Sequence, residues 1–179
     1  MDNLFLVAQF FGIVSLLVFC FSMQIDKRAM LLKFLLAVNA LNAVVYFLLG
    51  SLAGGFISLV SVARLGLFSF YELKNEKCPL VCLFFFIALE IFVGMFSCKI
   101  WFDVLCILEA IVVTIGTYVK NMTFTRICHL FSCLLLVLFN FYVMAYSNLL
   151  SEFIGLIFTS IGILRLDIFK TQDKKHCKL

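Results

Sequence analysis

Three ionisable side chains stand in the middle of apolar runs of the 179-residue chain: Arg64, Glu90 and Glu109. A charge held in hydrocarbon costs about 2.5–3.5 kcal/mol on insertion scales, so such groups face a bundle interior or a water-filled path and find counter-charges there. Arg64 can pair with Glu90 or with Glu109, and the planar fork of a guanidinium suits bidentate capture of a carboxylate. Such a pair serves either as a gate or a site for a polar solute or proton, or as a static clamp between helices. Asn39, Asn42 and Tyr46 form a second polar group, because spacings of three and four residues put them on one helix face. Amides and a phenol there can bind the hydroxyls of a small solute, or can hydrogen-bond between helices at about 0.6–2 kcal/mol per contact. Gln9 can join either group.

The remaining reactive residue types point elsewhere. No phosphate-binding glycine loop, nucleophile elbow or HExxH helix is present, so no enzymatic activity and no cofactor are expected. Cys20, Cys82, Cys106, Cys128 and Cys133 fall in apolar runs, where cysteine behaves as a small hydrophobe. Cys78 and Cys82 have no second pair, and His176-Cys177 lacks a partner cluster, so no metal site is expected. His129 reads as a packing or interfacial residue. Asp103 and Glu152 stand where acids would cap helix N-termini. Lys33, Arg126 and Arg165 lie within snorkelling reach of an interface. Gly54, Ser58 and Ser61 make a small-residue stripe suited to close helix packing.

The elements that must position these residues follow from composition. With 65% hydrophobic and 13% charged residues, the chain lacks the polar surface a soluble globule requires. A mean hydropathy of +1.18 excludes disorder, and a net charge of only +4, spread over turns, excludes a nucleic-acid binder. Crossing about 30 Å of hydrocarbon takes roughly 20 apolar residues, with about 17 as a lower limit. Seven segments qualify: Leu4 to Met23, Met30 to Leu49, Gly54 to Tyr71, Leu80 to Phe96, Trp101 to Tyr118, Phe124 to Ala145 and Glu152 to Phe169. Runs such as Leu80 to Phe86 lack the alternation of barrel strands, so the spans are helices. Asp2 before the first run and Val18-Phe19-Cys20-Phe21 at its end do not suit a removable signal, so this run is expected to stay in the membrane.

Basic residues orient the chain. Seven spans with the N-terminus outside put Lys27, Arg28, Lys74, Lys77, Lys120, Lys170, Lys174, Lys175 and Lys178 inside and only Lys99 outside, nine against one. The C-terminal tail is then cytoplasmic. An offset of 94 residues superposes the first span on the fifth, the second on the sixth and the third on the seventh, and brings Asn140 onto Tyr46. The expected fold is therefore an all-α polytopic membrane protein with seven transmembrane helices in a 3+1+3 plan of parallel three-helix bundles. Its parts are residues 1–77, a linker helix over 78–99, a second repeat over 100–170 and a tail over 171–179. Parallel repeats of this kind occur in transporters, with sites near the midplane between them.

Several segments carry a family likeness: Ala8-Gln9-Phe10-Phe11-Gly12-Ile13, Phe47-Leu48-Leu49-Gly50, Ser61-Val62-Ala63-Arg64-Leu65, Asn140-Phe141 and Ile163-Leu164-Arg165. In their order and spacing the chain resembles the YgjV-type bacterial inner membrane proteins over nearly its whole length, which implies an inner-membrane location and no particular activity. The 3+1+3 plan more loosely resembles SWEET and PQ-loop carriers, which move sugars or amino acids by alternating access. Unlike those carriers, this chain has no proline inside a span, its single Pro79 lying in a loop. Met144 to Leu149 also lacks the glycine-rich outer turn of other YgjV-type sequences.

The function expected is movement of a small polar solute through a midplane cavity lined by Asn39, Asn42, Tyr46, Arg64, Glu109 and Asn140. The competing class is a non-transporting membrane protein in which these residues only lock helices. The partners implied are the lipid bilayer, a small polar solute and, as an open option, a second copy of the chain.

Overall fold

The computed structural model describes residues 2–48, 52–97, 104–142 and 146–169. Seven α-helices occupy them: α1 (Asp2–Ser22), α2 (Arg28–Leu48), α3 (Leu52–Leu73), α4 (Leu80–Ser97), α5 (Val104–Tyr118), α6 (Met122–Tyr142) and α7 (Tyr146–Gly162). A π-helical segment, Ile163–Phe169, prolongs α7. Five of the helices are long and apolar enough to cross a membrane, and α4 and α5 are apolar over the shorter stretches Leu80–Phe96 and Val104–Tyr118. Each apolar run expected from the sequence is thus a helix. The largest boundary difference is at α7, which starts six residues ahead of Glu152 because Tyr146 to Ser151 contains no proline or glycine to hold it off.

Each helix packs on its neighbours in sequence, α7 returns to α1, and α3 also touches α5. The outward faces are apolar. Phe10 and Leu17 of α1 are each 64% exposed, and Val81 and Phe96 of α4 reach 76% and 80%, a surface suited to lipid and unsuited to water. Inside, Met23, Leu31, Leu32, Leu35, Leu65, Phe68 and Phe86 form an apolar cluster. Phe68 stands edge-on to Phe86 at 6.1 Å and to Tyr118 at 5.9 Å, joining α3, α4 and α5. In lipid such packing holds through shape and dispersion, because expelling water no longer drives helix association.

The turns after α1, α3 and α5 gather at one end of the bundle. Asn121 caps α6, its side-chain oxygen accepting from the Phe124 amide at 3.3 Å, and Pro79 precedes the first residue of α4, where a missing N–H costs nothing. α3 closes with a left-handed Asn75, φ 56°. The Glu76 amide bonds the Tyr71 carbonyl at 3.0 Å and the Asn75 amide bonds the Glu72 carbonyl at 3.1 Å, the paired bonds of a Schellman ending. That ending leaves the Glu72 carboxylate facing the neighbouring turns. An offset of 94 carries the start of α2, Arg28, onto the start of α6, Met122.

Asn75→Gly is expected to leave the thermal unfolding of the detergent-solubilised protein unchanged or slightly raised. Asn75→Val should destabilise by about 1–2 kcal/mol, the cost of a β-branched residue in the left-handed region.

Candidate functional site

The sequence left Arg64 a choice of carboxylates, and the fold makes it. Arg64 in α3 and Glu90 in α4 are 1% and 2% exposed, and one terminal nitrogen of Arg64 donates to Glu90 Oε1. The same nitrogen donates to the hydroxyl of Thr114 in α5, which lies 2.7 Å from Glu90 Oε2 and 2.7 Å from the Ala110 carbonyl. A threonine carries one proton, so Thr114 donates to one of these acceptors at a time. Three helices are closed on each other by this triangle. Glu109 lies within the electrostatic reach of Arg64 without pairing to it.

Glu109 belongs to a different group. It is half-buried on α5 and accepts from Ser132 of α6 at 2.8 Å. Its electrostatic neighbours are Arg64 of α3, Glu90 of α4, Glu152 of α7 and Tyr46 of α2. Glu152 is a neighbour of the Cys133 thiol of α6, one residue along from Ser132. Gly155 lets α7 approach α1 and α6 at this level, since a Cβ there would stand 3.1 Å from the Phe19 ring and 3.5 Å from Cys133 Sγ. Residues of α2, α5, α6 and α7 therefore converge around two carboxylates, and among the described residues no ion pair engages either one.

The amide cluster disperses. Asn42 accepts from the Ser15 hydroxyl of α1 at 2.6 Å, whereas Asn39 turns back on its own helix and donates to the Leu35 carbonyl at 2.9 Å. Asn140 lies in α6, and its side chain is outside the described residues, as is Asp103 altogether. In the 94-residue register Ser15 corresponds to Glu109 and Val38 to Ser132. Ser15 Oγ lies 3.4 Å from the Val38 carbonyl, so a polar contact recurs at corresponding places between α1 and α2 and between α5 and α6.

Residues 6–170 match the family model Imp-YgjV, described as a bacterial inner membrane protein. The chain belongs to this family. No curated protein and no solved structure matches it. It is therefore an inner membrane protein, and its apolar helices lie in the lipid bilayer.

Three roles expected from the sequence change in this setting. Glu152 is not a helix cap, because α7 begins at Tyr146 and carries it in one and a half turns. Arg126 does not snorkel to an interface. It is 1% exposed and donates to the Ile25 carbonyl at 2.6 Å, and the signal for it was periodic, since Thr125, Arg126, His129, Ser132 and Cys133 are all buried along α6. Arg28, counted as a loop charge, is nearly buried at the start of α2. Its Nε pairs with Glu72 at 3.3 Å, and its terminal nitrogens donate to the Val119 and Thr117 carbonyls that end α5, where a cation also complements the helix dipole. Lys120 Nζ stands 3.6 Å from the same Glu72 carboxylate. Beside them, Tyr118 donates to the Cys78 carbonyl at 2.9 Å. A small pocket of about 20 Å³ opens here, with Arg28, Glu72, Cys78 and Lys120 in its wall.

If the Arg64–Glu90 pair locks three helices, Glu90→Leu should destabilise the protein by about 3–5 kcal/mol, since it strands a buried charge. Arg64→Leu should cost less, because a carboxyl can take up a proton and a guanidinium cannot lose one; thermal melts of both variants in detergent read the difference. In the turn before α4, burial and the hydrogen-bonded Cys82 thiol push the Cys78 thiol up to about 11. A raised thiol pKa leaves little thiolate near neutral pH, so maleimide labelling of Cys78 at pH 8 should be roughly a hundredfold slower than that of an ordinary thiol and should rise with pH towards 11.

Proposed function

We propose that the chain is a carrier for a small polar solute bearing a positive charge, and that Glu109, Glu152 and Tyr46 line its site. The observation that carries this reading is the unbalanced pair of carboxylates. Arg64, whose field reaches Glu109, is committed to Glu90, while Glu109 and Glu152 are electrostatic neighbours from α5 and α7 that, among the described residues, take part in no ion pair. In low dielectric, two adjacent carboxylates call for protons or a cation. A phenol beside them offers a hydroxyl and a π face, which suits a protonated amine.

The plan of two three-helix halves, residues 1–77 and 100–170 joined by a helix within 78–99, is part of the proposal. It is supported by the starts of α2 and α6, Arg28 and Met122, which the 94-residue offset superposes. The site then lies between the halves, with Tyr46 supplied by the first and both carboxylates by the second, as in carriers built from parallel repeats. Asn39 and Asn42 stay on this reading as residues that shape the first half, through the Leu35 carbonyl and Ser15. The nine-to-one distribution of basic residues supports an N-terminus outside and a cytoplasmic 171–179 tail.

A second reading, a membrane protein that moves nothing, is favoured by the closure of Arg64, Glu90 and Thr114 on one another and by the pairing of Ser15 with Asn42. Proteoliposome uptake separates the two. With choline, putrescine, ethanolamine, lysine and a neutral sugar as labelled probes, accumulation of at least one amine and not of the sugar is expected. Glu109→Gln and Glu152→Gln should each cut that uptake by tenfold or more, whereas Asn39→Ala should leave it within about twofold, a loss of one neutral contact being worth far less than a lost counter-charge. Uptake of no probe by folded protein, or full uptake in both glutamine variants, sinks the assignment.

A further inference from the structure

The basic end of the bundle is crossed by two arginine contacts that run in opposite directions. Arg28, from the turn after α1, reaches the Val119 carbonyl in the turn after α5. Arg126, from the first turns of α6, reaches the Ile25 carbonyl in the turn after α1, at 2.6 Å. The 94-residue offset that superposes α2 on α6 carries Ile25 onto Val119. Corresponding carbonyls of the two turns are therefore each held by an arginine from the other half. The two donors are one helical turn apart in that register and occupy the same helix face. Both guanidiniums are largely withdrawn from water, Arg126 at 1% exposure and the Arg28 side chain at 9%.

Further contacts follow the same line. Arg28 extends to Thr117 and Val119 at the end of α5 and to Glu72 at the end of α3. Gln24 donates to the Phe158 carbonyl of α7 at 2.9 Å. Gly162 brings α7 so close to the end of α1 that a Cβ there would stand 2.5 Å from the Met23 carbonyl oxygen. These contacts set a cation, an amide or a bare backbone against a carbonyl; Arg28 also reaches the Thr125 hydroxyl at 3.3 Å, and Lys120 stands 3.6 Å from Glu72.

We propose that Arg28 and Arg126 form a reciprocal strap that holds this end of the bundle shut and has to release before the two halves can part there. Bonds from a guanidinium to a neutral carbonyl are charge-assisted, and Arg28 keeps its ion pair with Glu72, on its own side of the seam, when its bonds to the end of α5 break. Water at the membrane face can replace them, which a buried ion pair such as Arg64–Glu90 does not permit. The seam is therefore firm when dry and separable when wetted, while the triangle in mid-bundle stays closed. Its use in a transport cycle rests on the carrier reading; the strap itself does not.

Spin labels at Lys27→Cys and Val119→Cys, two exposed positions on the facing turns, in an otherwise cysteine-free chain in lipid nanodiscs, report the span of the seam. One narrow distance peak is expected with both arginines present. Arg28→Gln together with Arg126→Gln should broaden it or lengthen it on the order of 5 Å, about one helical turn. Arg126→Met, which keeps the buried volume and removes the bond to Ile25, should produce part of that change even if the double variant does not fold. The same distribution in every variant that folds would overturn the strap. No solute enters the measurement, so that result would leave the carrier reading intact, and a strap that releases in a protein without uptake would sink only the carrier reading.

Discussion

A guanidinium cannot shed its proton inside a bilayer, so Arg64 must bring its countercharge with it. That constraint organises the middle of the molecule. α4, the most lipid-exposed of the helices by its Val81 and Phe96 ends, is drawn against α3 because Glu90 has nowhere else to place its charge, and Thr114 ties α5 to the same point. With α3, α4 and α5 joined there, α6 and α7 fold back until α7 meets α1. An apolar substitute for the pair could be as stable, but a lone charged partner could not.

The remaining polar groups sort by distance from water. At the basic end, arginines meet backbone carbonyls at the ends of helices, where unsatisfied acceptors are available in any case. Further into the bundle, Glu109 and Glu152 meet a hydroxyl and a thiol, which do not neutralise them. Among the described residues Glu90 is held in an ion pair, and Glu109 and Glu152 are not. On the carrier reading, a solute or protons find their place beside these two.

Much of this was legible in the residues. The seven apolar runs became seven helices, and the depth of Arg64 and Glu90 announced a buried pair. Other features were hidden for definite reasons. Glu152 reads as a cap because its neighbours Tyr146 to Ser151 are polar enough for a turn, yet nothing among them breaks a helix, and one and a half extra turns carry the carboxylate inward. Arg28 and Arg126 look like interfacial charges because side-chain length lets a basic residue near a helix end reach water. What turned them inward was the presence of free carbonyls on the neighbouring turn, which no property of the arginine itself reveals. Asn39 and Asn42 share a face, but Asn39 finds a carbonyl four residues back on its own helix while Asn42 finds Ser15 across the interface.

The sequence by itself determined which stretches lie in lipid and which turns are basic, because hydropathy and charge are written along the chain. Whether Arg64 met Glu90 or Glu109 was decided only by the tertiary structure. The two carboxylates lie at similar depths on consecutive helices, and what separates them is rotation about the helix axis: α4 turns Glu90 toward α3, and α5 turns Thr114 to that place and Glu109 toward Ser132 of α6. Rotation is set by packing against every neighbour at once, which no single stretch of sequence encodes.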